Sequence, residues 1–146
     1  VGAVYVFTRA SNWIHLLTVD WTEQAFLRAS NLASGDGFGM QVALSGDSLA
    51  VAAQAEDSDG TSEGDNSATN AGAAYLFSRN GSGVWSQLEY VKASNPEAYD
   101  DFGFSIDLSG DTLAVGAFWE DSNAVGIDGD QSNNDAGDSG AVYVFK

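Results

Sequence analysis

Carboxylates are the most concentrated reactive groups in this chain, and they come in two clusters. Glu56, Asp57, Asp59, Glu63 and Asp65 crowd one segment; Glu120, Asp121, Asp128, Asp130, Asp135 and Asp138 crowd another. Neither segment contains Lys or Arg. Within the second, Asp128-Gly-Asp-Gln-Ser-Asn-Asn134 offers carboxylate and amide oxygens at near-alternate positions. Oxygen donors on a glycine-containing loop suit a hard cation, and Ca2+ takes about six to eight of them. The spacing nominates Asp128, Asp130, Asn133 and Asp138 as calcium ligands, and Asp57 and Asp59 as a shorter second set. Mutual repulsion among unpaired carboxylates is the physical reason to bind such an ion. The plainer reading of the same residues is a hydrated acidic surface.

Catalysis finds little material here. Cysteine is absent, and the single histidine, His15, stands close to Trp13 and Leu16, so a nucleophile–base pair has almost nothing to be built from. Two carboxylates suffice to hydrolyse a glycoside, but among 21 acidic residues no pair stands out. The chain is therefore expected not to be an enzyme. Aromatic side chains are the remaining candidates. Trp21 and Trp85 stand 64 residues apart (85 − 21) in matching surroundings, which points to packing. Phe118 and Trp119 differ, because Gln54 and Ala55 hold the matching positions 64 residues earlier. An unrepeated aromatic pair beside an acidic segment is a candidate ligand-binding surface, able to stack on a sugar ring. Asn80-Gly81-Ser82 fits a glycosylation sequon but reads better as a hairpin turn.

The overall balance limits the partners. With 21 acidic against 5 basic residues the net charge is −16, a field that repels nucleic acid and anionic membrane surfaces. No apolar run approaches the ~20 residues of a membrane-spanning helix. A length of 146 residues is enough for a sizeable core.

Alternation at a period of two positions these residues on strands. Ala3–Phe7, Leu49–Ala53 and Leu113–Ala117 are apolar on both faces, so each needs a layer above and below. Ser45-Gly-Asp47 and Ser109-Gly-Asp111 join apolar runs at hairpin spacing, and no helical period is sustained. The expected core is Tyr5, Phe7, Phe38, Val42, Leu49, Val51, Tyr75, Phe77, Phe102, Ile106, Leu113, Val115, Tyr143 and Phe145.

The strands recur in order. Gly2-Ala-Val-Tyr-Val-Phe7 returns as Gly72-Ala-Ala-Tyr-Leu-Phe77 and as Gly140-Ala-Val-Tyr-Val-Phe145. Trp21–Asn31 matches Trp85–Asn95, and Val42–Val51 matches Ile106–Val115, at one offset of 64 (85 − 21 and 106 − 42). Four antiparallel strands per unit, apolar on both faces, predict an all-β chain of β-propeller blades. Residues 1–35 supply the third and fourth strands of a partial blade plus an insertion at 11–20. Residues 36–95 form one blade, and residues 96–146 supply three strands of the next. Two blades cannot close a ring, so the chain is expected to meet further copies of the repeat, in a longer array or by strand exchange.

Phe38-Gly39, Phe102-Gly103, and Ala52-Ala-Gln54 or Gly116-Ala-Phe118 where Gly-Ala-Pro is usual resemble FG-GAP repeats. These are the blade type of integrin α-subunits and of bacterial secreted and surface proteins. The resemblance implies a non-enzymatic extracellular propeller used for adhesion, structural assembly or ligand display. The alternatives are a carbohydrate-binding, lectin-like propeller or the non-catalytic propeller of a larger secreted hydrolase. The implied partners are an extracellular protein or a glycan, without nucleic acid or membrane insertion, and the implied location is secreted or at the cell surface. Many relatives bind calcium between the first and second strands. Here that turn is only Ser45-Gly-Asp47 or Ser109-Gly-Asp111, too short to wrap the ion.

Overall fold

The computed structural model describes residues 2–9, 20–31 and 33–146; the insertion up to residue 19, with Trp13 and His15, lies outside them. The described residues form nine strands and no helix: β1 (Val4–Arg9), β2 (Trp21–Leu27), β3 (Gln41–Ser45), β4 (Ser48–Ala53), β5 (Ala73–Arg79), β6 (Trp85–Val91), β7 (Phe102–Ser109), β8 (Thr112–Ala117) and β9 (Ala141–Phe145). They make three antiparallel sheets, β1-β2, β3-β4-β5-β6 and β7-β8-β9. Sequence neighbours are sheet neighbours, the up-and-down order of propeller blades. The fold is all-β, as the alternation requires.

Two seams hold the sheets face to face. In the first, Val6, Leu27 and Ala29 cover Phe38, Leu49, Val51, Tyr75 and Phe77. In the second, Ala43, Ala50, Ala74 and Val91 cover Phe102, Leu113, Val115, Ala117 and Tyr143. Each sheet thus turns an aromatic face back to its predecessor and a small aliphatic face forward to its successor. Phe102 is completely buried at the second seam, and truncating it to alanine should cost about 3–5 kcal/mol. Backbone also closes the seams. A Cβ on Gly2 would lie 1.7 Å from the Phe38 carbonyl oxygen, and one on Gly72 would lie 2.1 Å from that of Phe102. The glycines of the first two copies of the phrase are the surfaces on which the Phe-Gly step of the next blade rests.

Three expected core residues are exposed instead: Tyr5 at 55%, Phe7 at 49% and Val42 at 51%. Tyr5 and Phe7 lie on the backward face of β1, and no sheet among the described residues precedes it. They pair across strands instead, Tyr5 lying edge-on to Phe26 at 5.0 Å. Val42 lies on β3, opposite a preceding sheet of only two strands; its counterpart Ile106, on β7, packs against a full four-stranded sheet and is half-buried. Trp21 is exposed for the same reason as Tyr5. Its counterpart Trp85 packs between sheets, donating Nε1–H to Gln24 Oε1 at 2.9 Å. The Asn80-Gly81 turn is wider than a two-residue hairpin. Asn80 Oδ1 accepts the backbone N–H groups of Ser82 and Val84, and the positive φ falls on Gly83.

Candidate functional site

Each sheet of the repeat has a corner where the segment entering its first strand meets the end of its second. In the β3–β6 sheet this corner carries Gly35, Gly37, Met40, Gln54 and Ala55; in the β7–β9 sheet the same positions hold Tyr99, Asp101, Phe104, Phe118 and Trp119. The bland corner becomes aromatic. Phe104 stacks on Phe118 at 4.8 Å with 22° between the rings, and Trp119 meets Phe118 edge-on at 4.6 Å. All three rings and that of Tyr99 are solvent-exposed.

Trp119 forms one wall of a hollow of about 330 Å³, with Asn70, Tyr99, Asp101, Asp121 and Asp138 around it. Phe104 and Phe118 line an adjoining hollow of about 350 Å³ that also reaches Asp138. An aromatic face ringed by carboxylate and amide oxygens offers stacking together with hydrogen-bond acceptors, the combination a polyhydroxylated ligand uses.

Four residues of the first hollow hold left-handed backbone: Asn70 (φ 54°), Tyr99 (φ 75°), Asp101 (φ 53°) and Asp138 (φ 58°). Non-glycine residues in this region cost of order 1–3 kcal/mol each, and such residues cluster at functional sites. Two of them are framework. Asn70 and Asp138 are counterparts, and each donates its N–H to an aspartate of its own sheet, Asp57 Oδ1 at 2.8 Å or Asp121 Oδ1 at 2.7 Å. Tyr99 and Asp101 are particular to this corner, where the preceding one has glycines. Their N–H groups donate to the carbonyls of Thr69 and Asn70, which locks the corner onto the previous sheet. Beneath them Asp100 is buried, and desolvation, with the nearby charges of Glu97, Glu120 and Asp121, pushes its carboxyl up to about 7.

The proposed calcium ligands are not brought together. Asp138 lines the Trp119 hollow, while Asp128 lines a separate groove beside β9. Asp130 Oδ1 accepts Ser132 N–H at 3.0 Å and Ser132 Oγ–H at 2.6 Å. Asn133 Oδ1 accepts the N–H groups of Asn123 and Asp135. In the shorter set, Asp57 caps Asn70, and Asp59 Oδ1 accepts from Thr61 N and Oγ1. Asp65 does the same for Ser67, and those hydrogen bonds hold its carboxyl down at about 2. Among the described residues no group of three or more acidic side chains is gathered to hold a metal. As arranged, the loop carboxylates bind their own backbone. The pattern behind this was in the sequence: Asp59, Asp65 and Asp130 are each followed two residues later by Thr or Ser, the signature of a local Asx turn.

The spacing of single residues also concealed a buried network. Tyr75 donates its OH to Asn31 Oδ1 at 2.6 Å, and Asn31 donates Nδ2–H to Glu56 Oε1 at 3.0 Å. Tyr143, Asn95 and Glu120 repeat that chain, at 2.6 and 3.2 Å. Burial pushes both tyrosine hydroxyls above their usual range. Glu56 also accepts from Lys92 Nζ at 3.0 Å, and burial pulls the Lys92 ammonium down.

Comparison with known proteins agrees with the architecture. The family profile described as FG-GAP repeat matches twice, over residues 21–77 and 85–145. Each matched unit opens on a fourth strand, β2 or β6, and ends on a third, β5 or β9, so one unit bridges two sheets. No curated protein matches the chain.

Proposed function

Since the chain belongs to the FG-GAP repeat family, we propose that it is a non-enzymatic β-propeller module of a secreted or cell-surface protein, serving adhesion or structural assembly and displaying a ligand site on one corner. The observation that carries this reading is the Tyr99–Trp119 corner. It replaces the plain residues of the preceding repeat with exposed aromatics and keeps two non-glycine residues in left-handed backbone. Framework positions repeat because every blade needs them; a corner that departs from the repeat at an energetic cost has a use of its own. Further copies of the repeat are the natural partners of the exposed end faces, Tyr5 and Phe7 on one side and Val142 and Val144 on the other.

The ligand class that fits the corner best is a glycan. The Trp119 ring supplies the stacking face, and Asp101, Asp121, Asp138 and Asn70 supply polar partners for hydroxyl groups. The test is a glycan array on the chain, repeated with Trp119→Ala. Saturable binding that falls at least about tenfold in the variant, a loss of about 1.4 kcal/mol, with an unchanged melting temperature, supports the reading. Binding that survives the substitution removes the corner from it, and an empty array leaves a protein ligand as the adhesive partner.

A further inference from the structure

The hollow beside Trp119 is assembled from two neighbouring sheets. Asn70 comes from the loop before β5, Tyr99 and Asp101 from the β6–β7 connection, and Trp119, Asp121 and Asp138 from the β8–β9 connection. Its lining is aromatic and acidic at once: the exposed rings of Tyr99 and Trp119 share it with three carboxylates, and no Lys or Arg enters it. The ion pairs among the described residues are Arg79–Asp47 and Lys92–Glu56, so none of the three acids has a basic partner there. Asp121 Oδ1 accepts the Asp138 N–H, whereas desolvation pushes the Asp101 carboxyl up with no hydrogen bond to offset it. Charge and aromatic surface also arrive together when the two corners are compared. Asp101 stands where the preceding corner has Gly37, and Asp138 where it has Asn70; Tyr99 replaces Gly35 and Trp119 replaces Ala55. A neutral sugar accounts for the rings but not for the charge, since covering three carboxylates with it strips their water without a compensating cation. A cation accounts for both, because ring faces attract it and carboxylates pair with it. Among the described residues the acids are not gathered to hold a metal ion, so the cation is one that brings its own bulk.

We propose that the glycan taken at this corner carries a free, protonated amino group, set among Asp101, Asp121 and Asp138 while its sugar ring lies on Trp119. The inference rests on the glycan reading above and names the chemistry of that glycan: an amino sugar without its N-acetyl group. An ammonium group has three N–H donors and no acceptor, which suits a lining of carboxylate oxygens. The hollow, at about 330 Å³, is near the lower end of small-molecule sites, which start at about 300 Å³, so a single ring is its natural occupant. The net charge of −16 draws a cationic saccharide towards the chain before the hollow selects it. N-acetylation would replace the charge by a bulkier neutral amide, so the site should discriminate against the acetylated form.

The experiment is calorimetric titration of the whole chain with the β-1,4-linked tetramer of glucosamine and with its fully N-acetylated counterpart. The pH is about 6, where ordinary carboxylates are ionised and the sugar amines protonated. The glucosamine tetramer should bind saturably and at least about tenfold more tightly than the acetylated one. Trp119→Ala should weaken both. The double variant Asp101→Asn, Asp138→Asn should abolish the preference for the amine and leave the affinity for the acetylated tetramer unchanged. Both substitutions suit the backbone, because asparagine tolerates left-handed φ and already occupies the counterpart of residue 138 at Asn70. Equal affinity for the two tetramers would overturn this inference and leave the glycan reading standing; binding of neither would overturn it, with the array deciding the broader reading. A preference for the amine that survives in the double variant would overturn it too, by tracing the preference to the diffuse charge of the chain. Tetralysine serves as the control for charge without a sugar ring: if it binds as tightly as the glucosamine tetramer and as dependently on Trp119, the occupant is a basic peptide and the proposal fails.

Discussion

The β3–β6 and β7–β9 sheets are built from the same repeat, and they differ in two places. Their frameworks coincide: Phe38 and Phe102 at the seams, Tyr75 and Tyr143 bonded to Asn31 and Asn95, and Glu56 and Glu120 under those amides. The first difference is the corner, glycines in one sheet and strained, exposed aromatics in the other. The second is the strand count: β6, with Lys92 after it, covers Glu56, whereas among the described residues only the neutral donors Asn95 and Ser122 reach Glu120. Seam residues must match because every blade packs on its neighbours in one way. Corners face solvent or a partner, so they are free to differ. Differences between copies of a repeat therefore locate individual function better than the residues the copies share.

The largest expected consequence lies in the two carboxylates. Glu56→Gln leaves the buried Lys92 ammonium without its counter-charge and should cost about 3–5 kcal/mol. Glu120→Gln removes a buried carboxylate that no cation among the described residues reaches. Its amide oxygen can still accept from Asn95 and its NH2 can donate to Ser122, so the change should stay within about 1 kcal/mol. Urea unfolding of the two variants measures both. Equal losses would show that Glu120 has a cationic partner in solution and would erase the second difference.

Much of this architecture was readable before the structure. Period-two alternation placed β4 and β8 to within one residue, and the offset of 64 required equivalent sheets. The sequence could not say which faces are covered. Tyr5 and Tyr75 occupy identical places in the phrase, yet one is exposed and the other fully buried, because burial depends on the neighbouring sheet and not on the strand. The acidic loops pose a different problem. Oxygen spacing is the same whether a carboxylate faces a cation or its own backbone, and only the Ser or Thr two residues on distinguishes them. Phe118 and Trp119 were legible as a departure from the repeat. The strain at Tyr99 and Asp101 was not, since φ is set by the corner closing onto Thr69 and Asn70.

A smaller effect is set by pH. The Asp100 carboxyl is raised from 3.8 to about 7, first by desolvation and then by nearby negative charge. The folded chain therefore holds this proton more tightly than the unfolded chain does. Stability should rise as pH falls from about 8 towards 5, by about 2 kcal/mol from this group. Burial also raises its counterpart Asp36, which acts in the same direction. Relief of self-repulsion in so acidic a chain adds to the trend, so the discriminating measurement is a pair of variants. Asp100→Asn should raise the melting temperature at pH 8 and flatten the profile between pH 8 and 5, and Asp36→Asn should do so less. Parallel profiles for wild type and Asp100→Asn would show that the Asp100 carboxyl is not raised.

The smallest effect bears most directly on the difference between the corners. Tyr99 and Asp101 stand at φ 75° and 53° where the other sheet has Gly35 and Gly37 at φ 114° and 74°. The Tyr99 ring is exposed, so its removal gives up little packing. Tyr99→Gly relieves backbone strain, and the greater freedom of glycine in the unfolded chain offsets part of the gain. The net expectation is a stabilisation of about 0.5–1 kcal/mol together with weaker ligand binding at the corner. The reciprocal change is cleaner. A Cβ at Gly35 would meet nothing within 4 Å, so Gly35→Ala tests backbone conformation alone. It should destabilise by about 1–2 kcal/mol. Stabilisation by Tyr99→Gly combined with loss of binding would show that the corner sustains strain for its ligand. If Tyr99→Gly destabilises while Gly35→Ala is neutral, the two corners carry no difference in strain, and the aromatic cluster alone distinguishes them.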